Sequence, residues 1–313
     1  MLVPLTGQPA STTLANADQL LRQAIQQLAH AGVESPTADA KTLFAWAWDI
    51  SVSELGSHVL RGTDVPHEVR GRYVQACERR GAREPLQHIT GVAPFRYQEL
   101  HVGPGVFIPR PETELMVSHA VEYLAGLAGD RHTAVDLCTG SGAIAIALAT
   151  EVPGTHVHAV ELSPEAARYT EHNIDRYRPA FEAHGSAVTL HIGDATEFLG
   201  TTSAKVITCN PPYVARTVEH APEVARDPDL ALYGGGADGS ELPQKIIAHA
   251  PRILAPGGLL ICEHAEYNAH TIENAFHRAG FTSVETVGDY TGRDRFTRGF
   301  SAHSGEDDRV SHI

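Results

Sequence analysis

The sequence predicts an α/β fold: a parallel sheet covered by helices on both faces, preceded by a small helical domain and a β-hairpin linker. Three observations carry this. From residue 111 onward, short β-rich runs alternate with helix-length segments, the order that produces parallel strands joined by crossover helices. Residues 14–83 instead repeat apolar side chains at helical spacing, as in Leu21, Ile25 and Leu28, and again in Val69, Tyr73 and Cys77. Between them, residues 86–108 form short apolar pieces broken by Gly91, Pro94, Gly103, Pro104 and Gly105, which reads as a hairpin. The expected organisation is a helical domain at 1–85, a linker at 86–110, the α/β domain at 111–303 and a polar, disordered tail at 304–313.

Taken in order, Ser35-Pro36 and Val65-Pro66 mark helix starts, because proline is tolerated in a first turn. A helix over 112–127 opens the main domain. Strands are expected at 133–137, 156–161, 187–192 and 205–209, with helices at 142–150 and 164–177. A helix at 244–254, a strand at 258–263, a helix at 269–279 and closing strands at 283–287 and 296–302 complete it.

Composition bounds the function. A chain of 313 residues with 42% apolar and 20% charged residues can bury a full core. The apolar stretch at 253–262 is interrupted by Pro256, Gly257 and Gly258, short of the roughly 20 residues a membrane span needs. Residues 1–10 place no positive charge before an apolar run and do not read as a secretory signal, so a cytoplasmic protein without membrane association is expected. Cys77, Cys138, Cys209 and Cys262 are scattered and read as reduced thiols, and the 19 histidines show no metal-ligand spacing, so no metal is expected. The net charge of −14 is uneven: residues 1–90 hold 8 Lys+Arg against 9 Asp+Glu, the remainder 16 against 29. An acidic body repels a phosphate backbone, so direct nucleic-acid binding is not expected. The Arg-rich stretch of Arg70, Arg72, Arg79, Arg80 and Arg83 reads as a solvated helix face.

The candidate cofactor loop is Cys138, Thr139, Gly140, Ser141 and Gly142, which ends the first main-domain strand and opens a helix. Glycines let backbone approach a ligand closely, and a helix N-terminus offers free N–H groups. Glu161 ends the next strand about 20 residues on, where a carboxylate can accept from ribose hydroxyls. Asp194 and Ala195 end the third, where the acid can accept from an adenine amino group and the Ala195 N–H can meet the ring. These positions suit an adenosine-bearing cofactor. A nicotinamide dinucleotide would use the same loop and acid, although the third glycine of its G-x-G-x-x-G pattern is missing.

Asn210, Pro211, Pro212 and Tyr213 follow the fourth strand into the same crevice. Both prolines have fixed φ, and Asn210 and Pro211 each precede a proline, so the run is stiff. The Asn210 side-chain carbonyl and the Pro211 backbone carbonyl are two acceptors, and Tyr213 is a ring on which a planar group can lie. Two acceptors on one NH₂ group hold both hydrogens and localise a lone pair that conjugation otherwise delocalises. Asn210, Pro211 and Tyr213 are therefore the candidate catalytic residues, and these three with Pro212 the candidate substrate-binding set.

These residues resemble the class I, S-adenosylmethionine-dependent methyltransferases that act on exocyclic or amide nitrogens. The elements Arg83-Glu-Pro-Leu-Gln-His-Ile89, Phe107-Ile-Pro-Arg-Pro-Glu-Thr-Glu114, Leu232-Tyr-Gly-Gly-Gly236 with Asp238-Gly239, and Leu254-Ala-Pro-Gly-Gly258 are similar, more specifically, to the release factor glutamine methyltransferases. The resemblance implies a Rossmann-like, seven-stranded class I methyltransferase sheet with a helical substrate-binding domain. It further implies S-adenosyl-L-methionine as cofactor and class I peptide chain release factors as protein substrates, methylated on the glutamine of a Gly-Gly-Gln motif. Phe107 and Asn210 join the loop, Glu161, Asp194 and Ala195 as implied cofactor contacts; the resemblance implies that Phe107 to Glu114 line the cofactor side of the pocket, the alternative being that Glu112 or Glu114 caps a helix. Cys138 stands where a glycine is common in the family, and Ala195 where a larger ring can stack on adenine. Competing readings are methylation of a ribosomal-protein glutamine, methylation of adenine in nucleic acid, and a non-catalytic cofactor-binding regulator of translation.

Overall fold

The computed structural model describes residues 16–201 and 203–302. The expected tail at 304–313 and the reading of residues 1–10 lie outside the described residues. The chain divides into two compact units, Met1–Thr90 and Gly91–Ile313.

In the first unit, α1 (Ala17–His30), α2 (Pro36–Trp48), α3 (Val52–Arg61) and α4 (His67–Gly81) are followed by the short α5 (Leu86–Thr90). Asn16 and Ser51 start α1 and α3 with capping boxes, each paired with the side chain three residues on. Leu28, Leu43, Phe44, Leu55, Tyr73 and Cys77 form the core. The Tyr73 ring stacks on Phe44 at 4.1 Å between centroids, and its hydroxyl donates to the Ala40 carbonyl at 3.2 Å. Residues 86–90, placed with the hairpin by the sequence reading, are helical and belong to this unit.

The Arg-rich stretch departs from the expected solvated face. Arg70 and Arg72 are exposed, the latter lying over the Trp46 ring at 4.9 Å. Arg80 is buried and donates to Asp39 at 2.7 Å, with both side chains about a tenth exposed (9% and 12%). Arg79 donates to Glu84 at 2.8 Å, and Arg83, at a left-handed φ of 64°, donates to the Gly32 carbonyl at 3.0 Å. Arg80 ties α4 to α2, and Arg83 ties the end of α4 to the turn after α1.

The second unit begins with the antiparallel hairpin of β1 (Val92–Phe95) and β2 (Gln98–His101). Arg96, in its turn, donates twice to Glu151 at 2.6 Å and once to the Glu114 carbonyl at 2.9 Å, tying the hairpin to α6 (Pro111–Ala125) and α7 (Ala143–Glu151). The sheet comprises β3 (His132–Leu137), β4 (Thr155–Glu161), β5 (Ala187–Ile192), β6 (Ala204–Cys209), β7 (Leu254–Glu263), β8 (Thr282–Gly288) and β9 (Asp294–Phe300). Its order is β5-β4-β3-β6-β7-β9-β8, seven strands, parallel except for β9. β9 is the exception because a short turn joins it to β8, and so tight a connection can return the chain only antiparallel.

Alternation of side chains gives the sheet two buried faces. Ala134, Val157, Val206 and Leu259 face the layer containing α6, α7 and α8 (Pro164–Glu182). Val135, Val160, Ile207 and Leu260 face the opposite layer, which contains α10 (Glu241–His249) and α11 (Ala269–Arg278) and follows the short α9 (Asp229–Leu232). α7 has no polar stripe because it packs on the sheet, α6 and α8 at once. α8 runs past the expected end at 177 through Pro179, which brings Phe181 into the core. α10 stops short of the expected 254, where Pro251 shifts the chain into a 3₁₀ turn. From β3 the chain steps outward to β4 and β5, then returns to β6 beside β3. That reversal opens a crevice at the carboxyl ends of β3 and β6.

Removing Asp39 takes a carboxylate acceptor from the buried Arg80 guanidinium, which still donates to the Glu84 carbonyl at 3.1 Å. Asp39→Ala is expected to lower stability by about 3 kcal/mol or more, and the double replacement Asp39→Leu, Arg80→Met to recover most of that loss. Chemical denaturation of both variants checks this; a single variant as stable as wild type would show that Arg80 escapes to solvent.

Candidate active site

The glycine loop leaves β3 through three left-handed residues, Cys138 (φ 61°), Gly140 (φ 59°) and Gly142 (φ 85°). Cys138 is the strained member, because its Cβ meets the following carbonyl in this conformation at a cost of roughly 1–2 kcal/mol. A Cβ on Gly140 would point into open space within the cleft, whereas one on Gly142 would press on Thr170 at 3.1 Å and Ile146 at 3.3 Å. Asp136, fully buried at the end of β3, accepts the Thr139 hydroxyl at 2.5 Å and the Thr208 hydroxyl at 2.9 Å. Asn173 of α8 donates to the Ser141 carbonyl at 2.9 Å and to the His101 carbonyl at 3.0 Å, joining loop to hairpin.

Glu161, at the end of β4, accepts the Gly140 N–H and the Ser163 N–H, both at 2.8 Å. Burial raises its pKa, opposed by the N–H groups of Ser163, Gly140 and Leu162. Each carboxylate oxygen keeps a further lone pair, so the group can hold the loop and still accept from a ligand. Asp194 is exposed, with Oδ1 accepting the Thr196 N–H at 2.8 Å and the Thr196 hydroxyl at 2.7 Å; Ala195 beside it is buried.

The Asn210–Tyr213 run is braced from behind. Val214 and Tyr233 form a parallel bridge, with the Val214 N–H donating to the Leu232 carbonyl at 2.8 Å. Any side chain at Gly234 would collide with the Pro212 and Gly239 carbonyls, which accounts for the glycine at that position. Asn268 donates to the Tyr213 carbonyl at 3.3 Å. Among the described residues no donor reaches the Asn210 Oδ1 or the Pro211 carbonyl, and both residues line the cleft.

Two polar residues complete the site: Thr113, in the segment the sequence placed at the pocket but with no role given to it, and Glu263, which sequence reasoning missed. Asn210 Nδ2 donates to the Thr113 hydroxyl at 3.2 Å, Thr113 donates to Glu263 Oε2 at 2.7 Å, and the Tyr213 hydroxyl donates to Glu263 Oε1 at 3.0 Å. Glu263 ends β7 and is only 1% exposed; burial raises its pKa, while Thr113, Tyr213 and the nearby Arg295 pull it back. Burial and then Glu263 hold the Tyr213 phenol in its neutral form. Thr113 lay inside the Phe107–Glu114 motif, and Glu263 ends β7 at the level of Asn210, since Cys209 and Cys262 are register partners.

The structure brings Phe107, Cys138, Thr139, Gly140, Ser141, Glu161, Asp194, Ala195, Asn210, Pro211, Pro212 and Tyr213 to one cleft. Gly142, expected among the cofactor contacts, lies behind it as the N-cap of α7, because Thr170 and Ile146 fill the space in front of its Cα. Glu112 and Glu114 sit in the first turn of α6 and make no N-cap; Glu114 instead accepts the Arg96 N–H at 3.0 Å. Arg110, also in that motif, donates to the buried Asp227 at 2.6 Å and fastens the segment beneath Phe107.

Residues 19–91 match the PrmC N-terminal domain family, and residues 104–227 the methyltransferase small domain family. The chain is 43% identical over 285 residues to a release factor glutamine methyltransferase of Bifidobacterium longum, covering 88% of this chain and 97% of that one. Identity to the release factor glutamine methyltransferase of Streptomyces coelicolor is 42% over 280 residues, covering 88% and 94%. A 4-amino-L-phenylalanine/4-methylamino-L-phenylalanine methyltransferase of Streptomyces pristinaespiralis is 35% identical over 280 residues, covering 87% and 89%.

Asp136 makes the site pH-sensitive in a definite direction. Burial outweighs the Thr139, Thr208 and Ala145 hydrogen bonds and pushes its pKa up to about 7. A carboxyl raised in the fold stabilises it most below its unfolded pKa, and that contribution is lost as pH rises through about 7. The stability of wild type relative to Asp136→Asn is therefore expected to fall between pH 4 and 7, by about 4 kcal/mol over the full span, and to level off above. Thermal melts across pH check it; a constant difference from pH 5 to 8 would mean that Asp136 is ionised in the fold throughout.

Proposed function

The chain belongs to the release factor glutamine methyltransferase family, and from that premise we propose that it methylates the side-chain amide nitrogen of the glutamine in the Gly-Gly-Gln motif of class I peptide chain release factors. The observation that carries the chemistry is the pair of uncommitted acceptors, Asn210 Oδ1 and the Pro211 carbonyl, opening on the same cleft as the glycine loop, Glu161 and Asp194.

The cleft fits the family's cofactor, S-adenosyl-L-methionine. Gly140 presents backbone to open space at the start of α7, which suits the amino-acid part, Glu161 can accept from the ribose, and Asp194 with the Ala195 N–H suits the adenine. Phe107 and Cys138 complete the wall. Bound there, the cofactor supplies an electrophilic methyl group on a sulfonium sulfur.

The protein's own residues prepare the nucleophile. Asn210 Oδ1 and the Pro211 carbonyl accept the two amide hydrogens, and the Tyr213 ring supports the flat carboxamide. This hold draws the hydrogens from the amide plane and turns the nitrogen lone pair toward the methyl group. Holding the nitrogen in this orientation would lower the entropic part of the barrier. The alkylated nitrogen is acidic and sheds its proton afterwards, so no strong base is required.

The acidic second unit disfavours nucleic acid, while the near-neutral helical unit offers a further surface for a folded protein. Among the described residues no helix is long and apolar enough to cross a membrane.

Labelled S-adenosylmethionine, followed by mass spectrometry of the product, tests the reading on release factor, its Gln→Ala variant, ribosomal protein, duplex DNA and 4-amino-L-phenylalanine. Labelling of the release factor alone, lost in its Gln→Ala variant, is expected. Preferential labelling of DNA or of the aromatic amine would replace the substrate assignment. Asn210→Ala is expected to lower turnover by roughly 100-fold or more while cofactor affinity by calorimetry stays nearly unchanged, because the lost acceptor acts on the reacting nitrogen.

A further inference from the structure

We infer that Glu263 and Thr113 are positioning residues that set the polarity of the substrate clamp, turning the Asn210 carbonyl and not its NH₂ toward the reacting amide. The inference rests on the amide-clamp reading above and explains why that clamp has its orientation.

An asparagine side chain is nearly symmetric in shape, and nothing in its own chemistry decides which end faces the cleft. Here the decision is made two residues away. Both Glu263 oxygens act as acceptors in the structure, Oε2 toward Thr113 and Oε1 toward Tyr213. Thr113, 2.7 Å from Glu263 Oε2, must therefore spend its one hydroxyl hydrogen on that carboxylate. Its remaining lone pairs can only accept, so the group that approaches it at 3.2 Å has to be the Asn210 NH₂. Asn210 Oδ1 is left for the cleft. The other carboxylate oxygen acts in the same sense on Tyr213: it takes the phenol hydrogen at 3.0 Å, which fixes the ring and removes the hydroxyl from any part in proton transfer. One buried carboxylate thus orders both the acceptor and the ring of the clamp. Burial, the largest influence, and Glu112 raise the Glu263 pKa, while the Thr113 and Tyr213 hydrogen bonds and Arg295, itself paired with Asp289 at 2.8 Å, favour the charged form.

Three elements meet at this relay: the first turn of α6, the loop after β6 and the end of β7. An apolar side chain in place of Glu263 would pack as well in a structural sense. It would leave Thr113 free to donate to Asn210 Oδ1, and the amide could then present two donors to a substrate group that also brings donors.

Isosteric variants separate polarity from packing. Thr113→Val removes the hydroxyl and keeps the shape, Thr113→Ser keeps the hydroxyl, and Glu263→Gln places an NH₂ beside either Thr113 or Tyr213. Single-turnover methylation of a release factor is expected to slow roughly 10- to 100-fold in Thr113→Val and Glu263→Gln, as for other residues that orient a reacting group, and to stay within about threefold of wild type in Thr113→Ser. S-adenosylmethionine affinity by calorimetry and release factor affinity of the S-adenosylhomocysteine-loaded protein should change by less than about threefold in all three. Thermal melts confirm folding, and if one slow variant fails to fold the other still decides. Wild-type rates in folded Thr113→Val or Glu263→Gln would overturn the relay. Slow turnover in Thr113→Ser equal to that in Thr113→Val would overturn it as well, since packing alone would then explain the loss. An inactive wild type would instead refute the substrate assignment.

Discussion

The site depends on the buried carboxylate of Asp136, which joins its two halves across the reversal of strand order. One oxygen takes the hydroxyl of Thr139 in the glycine loop, the other that of Thr208, two residues before Asn210. β3 and β6 are neighbours in the sheet, but their outgoing loops diverge, and without a shared anchor the cofactor loop and the Asn210 run would be set independently. Glu161 at the end of β4 and Glu263 at the end of β7 repeat the device, each holding a loop or a clamp through donors on other segments. Desolvating three carboxylates costs stability, and their raised pKa values record that cost. The return is position: each donor is committed to one acceptor, so the loops have one arrangement.

What could be read from the sequence follows from how local each signal is. Alternating texture located the strands of the main sheet within a residue or two for β3 to β6, and Asn210-Pro-Pro-Tyr213 declared a stiff loop because proline restricts both itself and the residue before it. The glycine preference at position 138 now has a physical cause in its φ of 61°, a conformation this chain imposes on a cysteine. At Gly142 the sequence cannot separate ligand approach from internal packing, and it is the structure that shows Thr170 and Ile146 where a Cβ would stand. Thr113 and Glu263 lie 150 residues apart, and neither threonine nor glutamate carries a local mark of such a partnership. The same distance problem hid the Arg80–Asp39 pair, which made a structural arginine look like one of a solvated row.

The charge distribution adds a constraint that no single pocket contact supplies. A pocket with two acceptors and a ring suits an adenine edge, an aryl amine or a carboxamide alike. The unit that contains it carries 16 basic against 29 acidic residues, so a polyanion approaching the cleft meets net repulsion. In the first unit three of the five clustered arginines are engaged with Asp39, Glu84 and the Gly32 carbonyl, which leaves little of the basic stripe that a phosphate backbone would need.

In the clamp proposed above, saturation of the other polar groups supplies the selectivity. Thr113, Tyr213 and Glu263 satisfy one another, Asn210 Nδ2 is held by Thr113, and the loop carboxylates hold backbone N–H groups. What remains at the reacting end is acceptor character, from Asn210 Oδ1 and Pro211. A group with two hydrogens on one planar nitrogen satisfies both. A hydroxyl brings only one hydrogen and a carboxylate none, so each would leave an acceptor desolvated and unpaired, a loss of about 1–3 kcal/mol for each orphaned group. On the proposed reading, the preference for an NH₂ nucleophile is enforced more by what the site cannot donate than by what it attracts, and the buried carboxylate behind Thr113 withholds the donor.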